Sequence, residues 1–582
     1  MAYVHIMDVQ APPSTSRPPS PQQRRAARRS LGLTVALLAL LYLGLRLPAL
    51  LALPLFNDEA VYLVRARFFP SMLATPGVAG ATLPDGKLLH ELALAALAPL
   101  PVDPLLPARL LSVACGLATA LTLVATGRSL GHPRAGALAG ALYALAPLAG
   151  LHDVLGLPDS MLALAGALLL WASIGFASRP AAGRRDALLV GALLGAASLI
   201  KLSGLLLFAI PVLAVLLLPA SSERWRRLAL LRVALIVALL GLACLAPFHY
   251  GGAERRKLDT EQARIAVAQR HAVAAGDWLL RYLPGPLLVA PLLALAMRGL
   301  RRAAPDSSHR NVPARQADDR AGSGYGVARL PARANEQPFE AHQTASARLS
   351  AVAGRVAEEG TDGAAPATAR LTAFLLLAGL AVIASFVLIG TALYSRYLLP
   401  AWPPLLLAAA LGTTTLWSSG PAPRGVALLA LLAATGWSLA WIGWFAMAPL
   451  TAPLAHQDRA QYLQKWSAGH NLDAMLADVR AAAAAHGRLT LVNHNQPRLV
   501  HLATLLYLGD TPAIRLTEVD LSAPDAPARL ADLARNEALV LVVDQQEVEG
   551  FALPQRFPRL HMLRRYPHPD GTMAFLLFEQ QP

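Results

Sequence analysis

The sequence predicts a polytopic α-helical membrane protein of about 11 spans, with interfacial helices in the first outer loop and a small C-terminal α/β domain. Three observations predict it. The chain has 582 residues, of which 55% are hydrophobic and only 15% charged, against about 25% charged in an ordinary soluble protein. Its mean hydropathy is +0.45. The charge deficit is concentrated in apolar runs of roughly twenty residues, the length that crosses a hydrocarbon core.

Residues 1–30 are Pro-rich and Arg-rich and read as a disordered cytoplasmic arm. Spans are expected at 31–54, 107–126, 134–151, 159–177, 187–200, 203–219, 230–248, 284–299, 371–391, 397–416 and 425–447. Residues 31–299 form the first part of the membrane domain, with the site expected in its outer loops, and 371–447 continue it. Between them, 300–370 is rich in Ala, Arg, Asp, Gly and Pro without apolar periodicity, and reads as a disordered cytoplasmic loop. Its "GSGYG", Gly322 to Gly326, has no strand before it and no helix after it, so a flexible linker is preferred to a phosphate loop.

Residues 448–582 change texture. "RLTLVNH" and "ALVLVVDQQ" are β-branched runs, "AMLADVRAAAAAHG" is helical with a Gly stop, and "TMAFLLFEQ" reads as a last strand. This segment is expected to be an extracytoplasmic α/β domain.

The net charge of +15 invites a nucleic-acid reading. Much of it sits in short links between apolar runs, such as 127–133, 178–186 and 220–229, which fits the positive-inside bias of a membrane protein. The expected location is the inner membrane, multi-pass, with the N-terminus cytoplasmic and the C-terminal domain outside. Loop 249–283, with "ERRK" and Arg264, Arg270 and Arg281, runs against that trend. Cys115 and Cys244 both fall in expected spans and read as small core residues rather than a disulfide or metal motif.

Ionisable groups at membrane depth are costly and mark function by default. On the expected outer side they are Asp58, Glu59, Lys87, His90, Glu91, His152, Asp153, Asp159, Lys201, His249 and Arg396, with Tyr397 beside them. Ordinary roles stay open for several. Asp58 and Asp159 suit helix N-caps, Lys201 suits snorkelling, and Arg396 with Tyr397 suits an interfacial anchor. His90 and Glu91 are expected on the solvated face of an interfacial helix. A secondary transporter or flippase of a polar or lipid-linked substrate is the alternative. It would carry its charges mid-span in broken helices and often show two similar halves.

Several stretches, taken in order, resemble one family. "FNDEAVY" is similar to the acidic first-loop motif of GT-C glycosyltransferases, in the branch of protein O-mannosyltransferases and the lipid A aminoarabinose transferase. "LPDGKLLHELAL" resembles that family's Lys-containing stretch, with Leu88 and Leu89 in place of two prolines. "HDVLGLPDSMLAL" resembles its second acidic loop, with Val154 where Arg is frequent. "GALLGAASLIKLSGLLL", "SRYLLPAWPPLLL" and "HQDRAQYLQKWSAGHNL" follow in order.

The resemblance implies a polyprenyl-phosphate-linked sugar donor used at the outer membrane surface, and an acceptor hydroxyl on a protein, a lipid or an envelope glycan. The partners are then the donor, the acceptor and membrane lipids, with no nucleic acid. Asp58 is the candidate general base. Lys87, Lys201, Arg396 and Tyr397 are candidates to hold the donor phosphate. Asp159 and Glu59 complete the candidate catalytic set. For Glu59 three roles stay open: orienting Asp58, positioning the acceptor, or binding a divalent cation with Asp159. No other cofactor is expected. A single displacement with inversion at the anomeric carbon is a further implication of the resemblance.

Overall fold

A computed structural model describes residues 21–74, 87–179, 182–218, 221–243, 261–283, 286–303, 361–389, 393–494, 496, 498–535 and 537–580. His249, the Gly322–Gly326 stretch and most of the 300–370 segment lie outside the described residues. So do residues 1–20 of the expected arm.

Among the described residues, six helices are long and apolar enough to cross a membrane: Arg28–Ala49, Leu105–Ser129, Pro158–Ser178, Ala367–Ile389, Ser395–Ser418 and Pro421–Met447. The chain is a polytopic membrane protein. The first helix, Pro21–Arg46, turns Leu33, Leu37 and Leu40 outward, and Pro421–Met447 turns out Leu429, Leu432 and Trp444. Apolar side chains on the outside are what a hydrocarbon solvent requires. The most enclosed span, Trp402–Ser418, buries an almost unbroken run from Trp402 to Thr413.

Several expected elements take a different form. The arm 1–30 is helical from Pro21, because "QQRRAARRS" has high helix propensity and joins the span without a break. The 300–370 segment is entered by helices at both ends, Pro286–Ala303 and Thr361–Ile389. Expected span 134–151 is two helices, Pro133–Leu145 and Pro147–His152, separated by extended backbone at Ala146. Pro147 disfavours helical geometry at the residue before it. Residues 261–282, expected in a loop, form a helix, Glu261–Tyr282, which buries Trp278 and Tyr282.

The break around Lys201 has a clear local cause. Helix Arg184–Ile200 ends at Lys201, whose backbone is extended (φ −161°, ψ 131°), and a 3₁₀ turn, Leu202–Phe208, follows before Ala209–Leu217. Gly204 returns so close to the Ala197 carbonyl that a Cβ there would overlap it. The "KLSG" sequence thus aims Lys201 sideways into the bundle.

The C-terminal segment builds a five-stranded sheet from β1 (Leu489–His494), β2 (Ile514–Val519), β3 (Ala538–Asp544), β4 (Leu560–Pro567) and β5 (Ala574–Gln580), in the order β2-β1-β3-β5-β4. β1 is parallel to β2 and β3, and β5 runs antiparallel between β3 and β4. β1 is buried throughout, as a central parallel strand should be. The C-terminal segment, just before this sheet, is tied to the first loop beside Asp58. Phe56 and Ala468 form a β-bridge, the Asn57 N–H donates to the Ser467 carbonyl (3.0 Å), and the Gly469 N–H donates to the Leu55 carbonyl (2.9 Å). Further along helix Asn57–Ala74, Arg67 donates to the Leu506 carbonyl (2.8 Å) and pairs with Asp510.

Candidate active site

The first-loop acids diverge at once. Asp58 and Glu59 both lie in the first turn of helix Asn57–Ala74, where the helix dipole favours carboxylates. Successive helical residues face different ways. Asp58 stays partly exposed, at 29%, and its Oδ2 accepts from Arg396 Nη2 at 2.7 Å. Glu59 is fully buried and faces Arg109, which binds it bidentately at 2.9 and 2.8 Å. The Phe56 N–H (3.0 Å) and the Gly156 N–H (2.6 Å) also donate to Glu59. Arg109 completes its fork on the carbonyls of Leu50, Leu53 and Pro54. Glu59 therefore clasps the first loop to helix Leu105–Ser129 and to the second acidic loop.

Asp159 is the second acid of the site. It begins helix Pro158–Ser178, but its side chain does not cap it; the cap position is Leu157. Instead Oδ1 accepts from Lys201 Nζ at 2.8 Å and Oδ2 lies 3.7 Å from Arg396 Nε. Arg396 comes from the 3₁₀ turn Ser395–Ala401, and its Nη1 reaches the Tyr462 hydroxyl at 3.3 Å. Arg396 also lies over the Tyr394 ring, 4.5 Å from its centroid. The Lys201 ammonium sits 3.6 Å above the Tyr397 ring, so Tyr397 meets this cation through its π face. Lys87 donates to the Tyr62 hydroxyl, and its charge acts on both Lys201 and Tyr397.

The structure therefore brings Asp58, Arg396, Asp159 and Lys201 into one continuous ion-paired chain, with Tyr397 beneath it and Lys87 beside it. The snorkelling role for Lys201 and the capping role for Asp159 do not hold. The proposed metal pairing finds no support in the geometry. Glu59 is saturated by four N–H donors and Asp159 faces two cations, and among the described residues no group of three or more His, Cys, Asp or Glu side chains is arranged to hold a metal ion.

His90 and Glu91 are not on a solvated face. Helix Leu88–Leu97 packs inward, both residues are buried, and Arg65 pairs with Glu91 at 3.3 Å.

Two buried networks flank the site, and sequence reasoning missed most of their members. His152 Nε2 lies 3.0 Å from Ser395 Oγ, which donates to Asp458 Oδ1 at 2.6 Å. Tyr282 donates to Asp458 Oδ2 at 2.6 Å and accepts from the Ala455 N–H at 2.9 Å. Asp458 lies just beyond the last span, and burial pushes its carboxyl up to about 6, against the lowering effect of the Ser395 and Tyr282 hydroxyls. On the other side Asp153 accepts from Tyr42 (2.8 Å) and Ser160 (2.7 Å), with Arg46 Nε 4.0 Å away. Arg46 and Arg109 each interrupt an apolar run, the signal by which an intramembrane cation is found.

The family-model comparison agrees with part of the motif resemblance. Residues 88–250 match the family model described as dolichyl-phosphate-mannose-protein mannosyltransferase. No curated protein matches the chain. Among solved structures, ArnT from Cupriavidus metallidurans bound to undecaprenyl phosphate is similar at 14% identity, covering 95% of this chain and 98% of that chain, with a TM-score of 0.47. The apo state of the same protein gives 13% identity, the same coverage and a TM-score of 0.48. The archaeal oligosaccharyltransferase AglB from Archaeoglobus fulgidus, in complex with an inhibitory peptide and a dolichol-phosphate, is similar at 12% identity over 94% of this chain and 74% of that chain, with a TM-score of 0.38.

Proposed function

We propose that this chain is an integral membrane glycosyltransferase that moves a sugar from a polyprenyl-phosphate-linked donor to an acceptor hydroxyl on the outer side of the membrane. The observation that carries the reading is the single chain Asp58–Arg396–Asp159–Lys201, in which two acids and two cations from four distant segments share one layer. The family match over residues 88–250, which include Lys201 and Asp159, supports the same reading.

The chemistry follows from this arrangement. The donor's leaving group is a phosphate monoester that gains negative charge as the glycosidic bond breaks. Lys201 and Arg396 are positioned to receive that charge, with Lys87 beside them. Each cation is neutralised by carboxylates before the donor arrives. The phosphate competes with Asp58 and Asp159 for Arg396, which frees the Asp58 oxygen to take the proton of the attacking hydroxyl. The hydroxyl oxygen forms the new bond to the anomeric carbon, the phosphate leaves with the old bonding pair, and the proton passes to Asp58. One displacement inverts the anomeric centre.

In this reading residues 448–582 lie outside the membrane over the site, tied to the first loop through the Phe56–Ala468 bridge. In this reading the shorter apolar helices Leu202–Leu217 and Leu288–Met297 lie within further membrane-embedded segments around 203–219 and 284–299.

The test is release of polyprenyl phosphate from labelled polyprenyl-phosphate sugars by membranes containing the chain. Release that depends on the chain and on an acceptor supports the proposal. Donor crossing the bilayer without release of polyprenyl phosphate would favour a flippase instead.

A further inference from the structure

His90 is only 1% exposed, yet both of its ring nitrogens are buried without a hydrogen-bond partner. The Gly156 backbone lies against the ring and raises its basicity as a hydrogen-bond acceptor does, although neither ring nitrogen meets full hydrogen-bond geometry with it. The residue occupies the first turn of helix Leu88–Leu97, three positions after Lys87. The Tyr62 ring, whose hydroxyl accepts from Lys87, meets the imidazole edge-on at 5.4 Å between centroids. The charges of Lys87, Asp159 and Lys201 all act on it. His90 therefore stands inside the ion-paired layer, although no member of that layer bonds to it.

A neutral imidazole always presents one donor and one acceptor. Burial, with the Lys87 ammonium beside it, pushes the His90 ring down to about 3, so the ring is neutral. A buried donor and acceptor without well-formed partners carry a penalty, and a ligand that satisfies both removes it. With two ammonium groups close by, the occupant that fits is an anion carrying a hydroxyl next to it. The junction between a sugar and its phosphate has that chemistry.

We propose that His90 is a donor-binding residue, its ring N–H donating to a phosphate oxygen of the lipid-linked sugar while the other nitrogen accepts from a sugar hydroxyl. This rests on the glycosyltransferase reading above and adds to it a residue outside the acid and cation set.

The experiment measures binding of undecaprenyl phosphate to the purified full-length chain in detergent, for the wild type and for His90→Phe and His90→Gln. Phe keeps the buried volume without a polar atom, whereas Gln restores an N–H donor. Thermal melting of each variant reports folding. His90→Phe is expected to weaken undecaprenyl phosphate binding about 10–100-fold, the loss that goes with one hydrogen bond to a charged group. His90→Gln is expected to recover most of it, and a purely structural residue would not give that rescue. Equal affinity of the wild type and His90→Phe would overturn the assignment while leaving the glycosyltransferase reading intact. So would a Gln variant that melts like wild type and binds as weakly as Phe. If the wild type itself fails to bind undecaprenyl phosphate, the donor class and the His90 role fall together.

Discussion

Asp58 and Arg396 lie 338 positions apart in the chain and are joined by a 2.7 Å hydrogen-bonded ion pair. Arg396 also faces Asp159, which in turn holds Lys201. The first loop, the second acidic loop, the break after Ile200 and the turn before Trp402 are thereby fastened at one point. Under the proposed function, a phosphate entering this layer meets cations already placed, and the acid it displaces is the one proposed to take the proton.

Lys87→Ala should weaken donor binding as well as turnover, because phosphate is charged in both the ground state and the transition state. Lipid-donor affinity measured beside single-turnover transfer checks this. A loss confined to turnover would place Lys87 away from the bound phosphate.

Glu59→Gln should act on folding rather than on chemistry. Glu59 is fully buried and paired bidentately with Arg109. Removing one partner of such a pair typically costs about 3–5 kcal/mol. Thermal unfolding in detergent should show a large loss for Glu59→Gln and for Arg109→Ala. A Glu59→Gln protein of wild-type stability but without activity would return Glu59 to the catalytic set.

Gly116→Ala should destabilise the membrane domain. A Cβ at this position would overlap the Tyr42 hydroxyl and the Asp153 carboxylate, which are hydrogen-bonded to each other. Forcing them apart separates a buried acid from its donor, and overpacking of this kind costs about 1–3 kcal/mol. The melting temperature of the variant is the measurement, and an unchanged value would mean the neighbouring helices shift freely.

Asp458 gives a pH signature. Its folded carboxyl titrates at about 6, above the ordinary value of 3.8. The folded chain therefore holds this proton more tightly than the unfolded chain, and stability falls as pH rises from about 4 to about 6. The full displacement corresponds to on the order of 3 kcal/mol. Asp458→Asn removes the titration, so the wild type should lose stability relative to the variant across that window and stay level with it above. Parallel pH profiles for the two proteins would show that Asp458 does not titrate there.

The membrane class, the break at Lys201 and the order of the site motifs were legible in the sequence, because apolar length and ionisable residues at span ends are local signals. The partners of those residues were not. Nothing local distinguishes Glu59, clasped by Arg109, from Asp58, which meets Arg396; one position along a helix turns a side chain by about 100° and changes its company. His90 was misread for a related reason. Leu88–Leu97 is apolar over most of its surface, so the sequence does not say which side meets water. Asp458 and Tyr282 join only through tertiary packing across 176 positions. The helix Glu261–Tyr282 escaped because its charges match a loop as well as an amphipathic helix.

The proposed outer position of the sheet is tested by labelling. Asp532 is largely exposed on the C-terminal segment, so Asp532→Cys should react with a membrane-impermeant thiol reagent in intact cells. Protection there, with labelling only after the membrane is opened, would place the segment inside.

The most direct test of the central claim is single-turnover transfer from a labelled polyprenyl-phosphate sugar by Asp58→Asn, with lipid-donor affinity measured on the same preparation. Asn keeps the shape of the side chain but takes no proton. The account predicts turnover reduced about 10²–10⁴-fold, the usual cost of losing a general base, with donor still bound. Near-normal turnover in Asp58→Asn would contradict it and show that another group takes the proton.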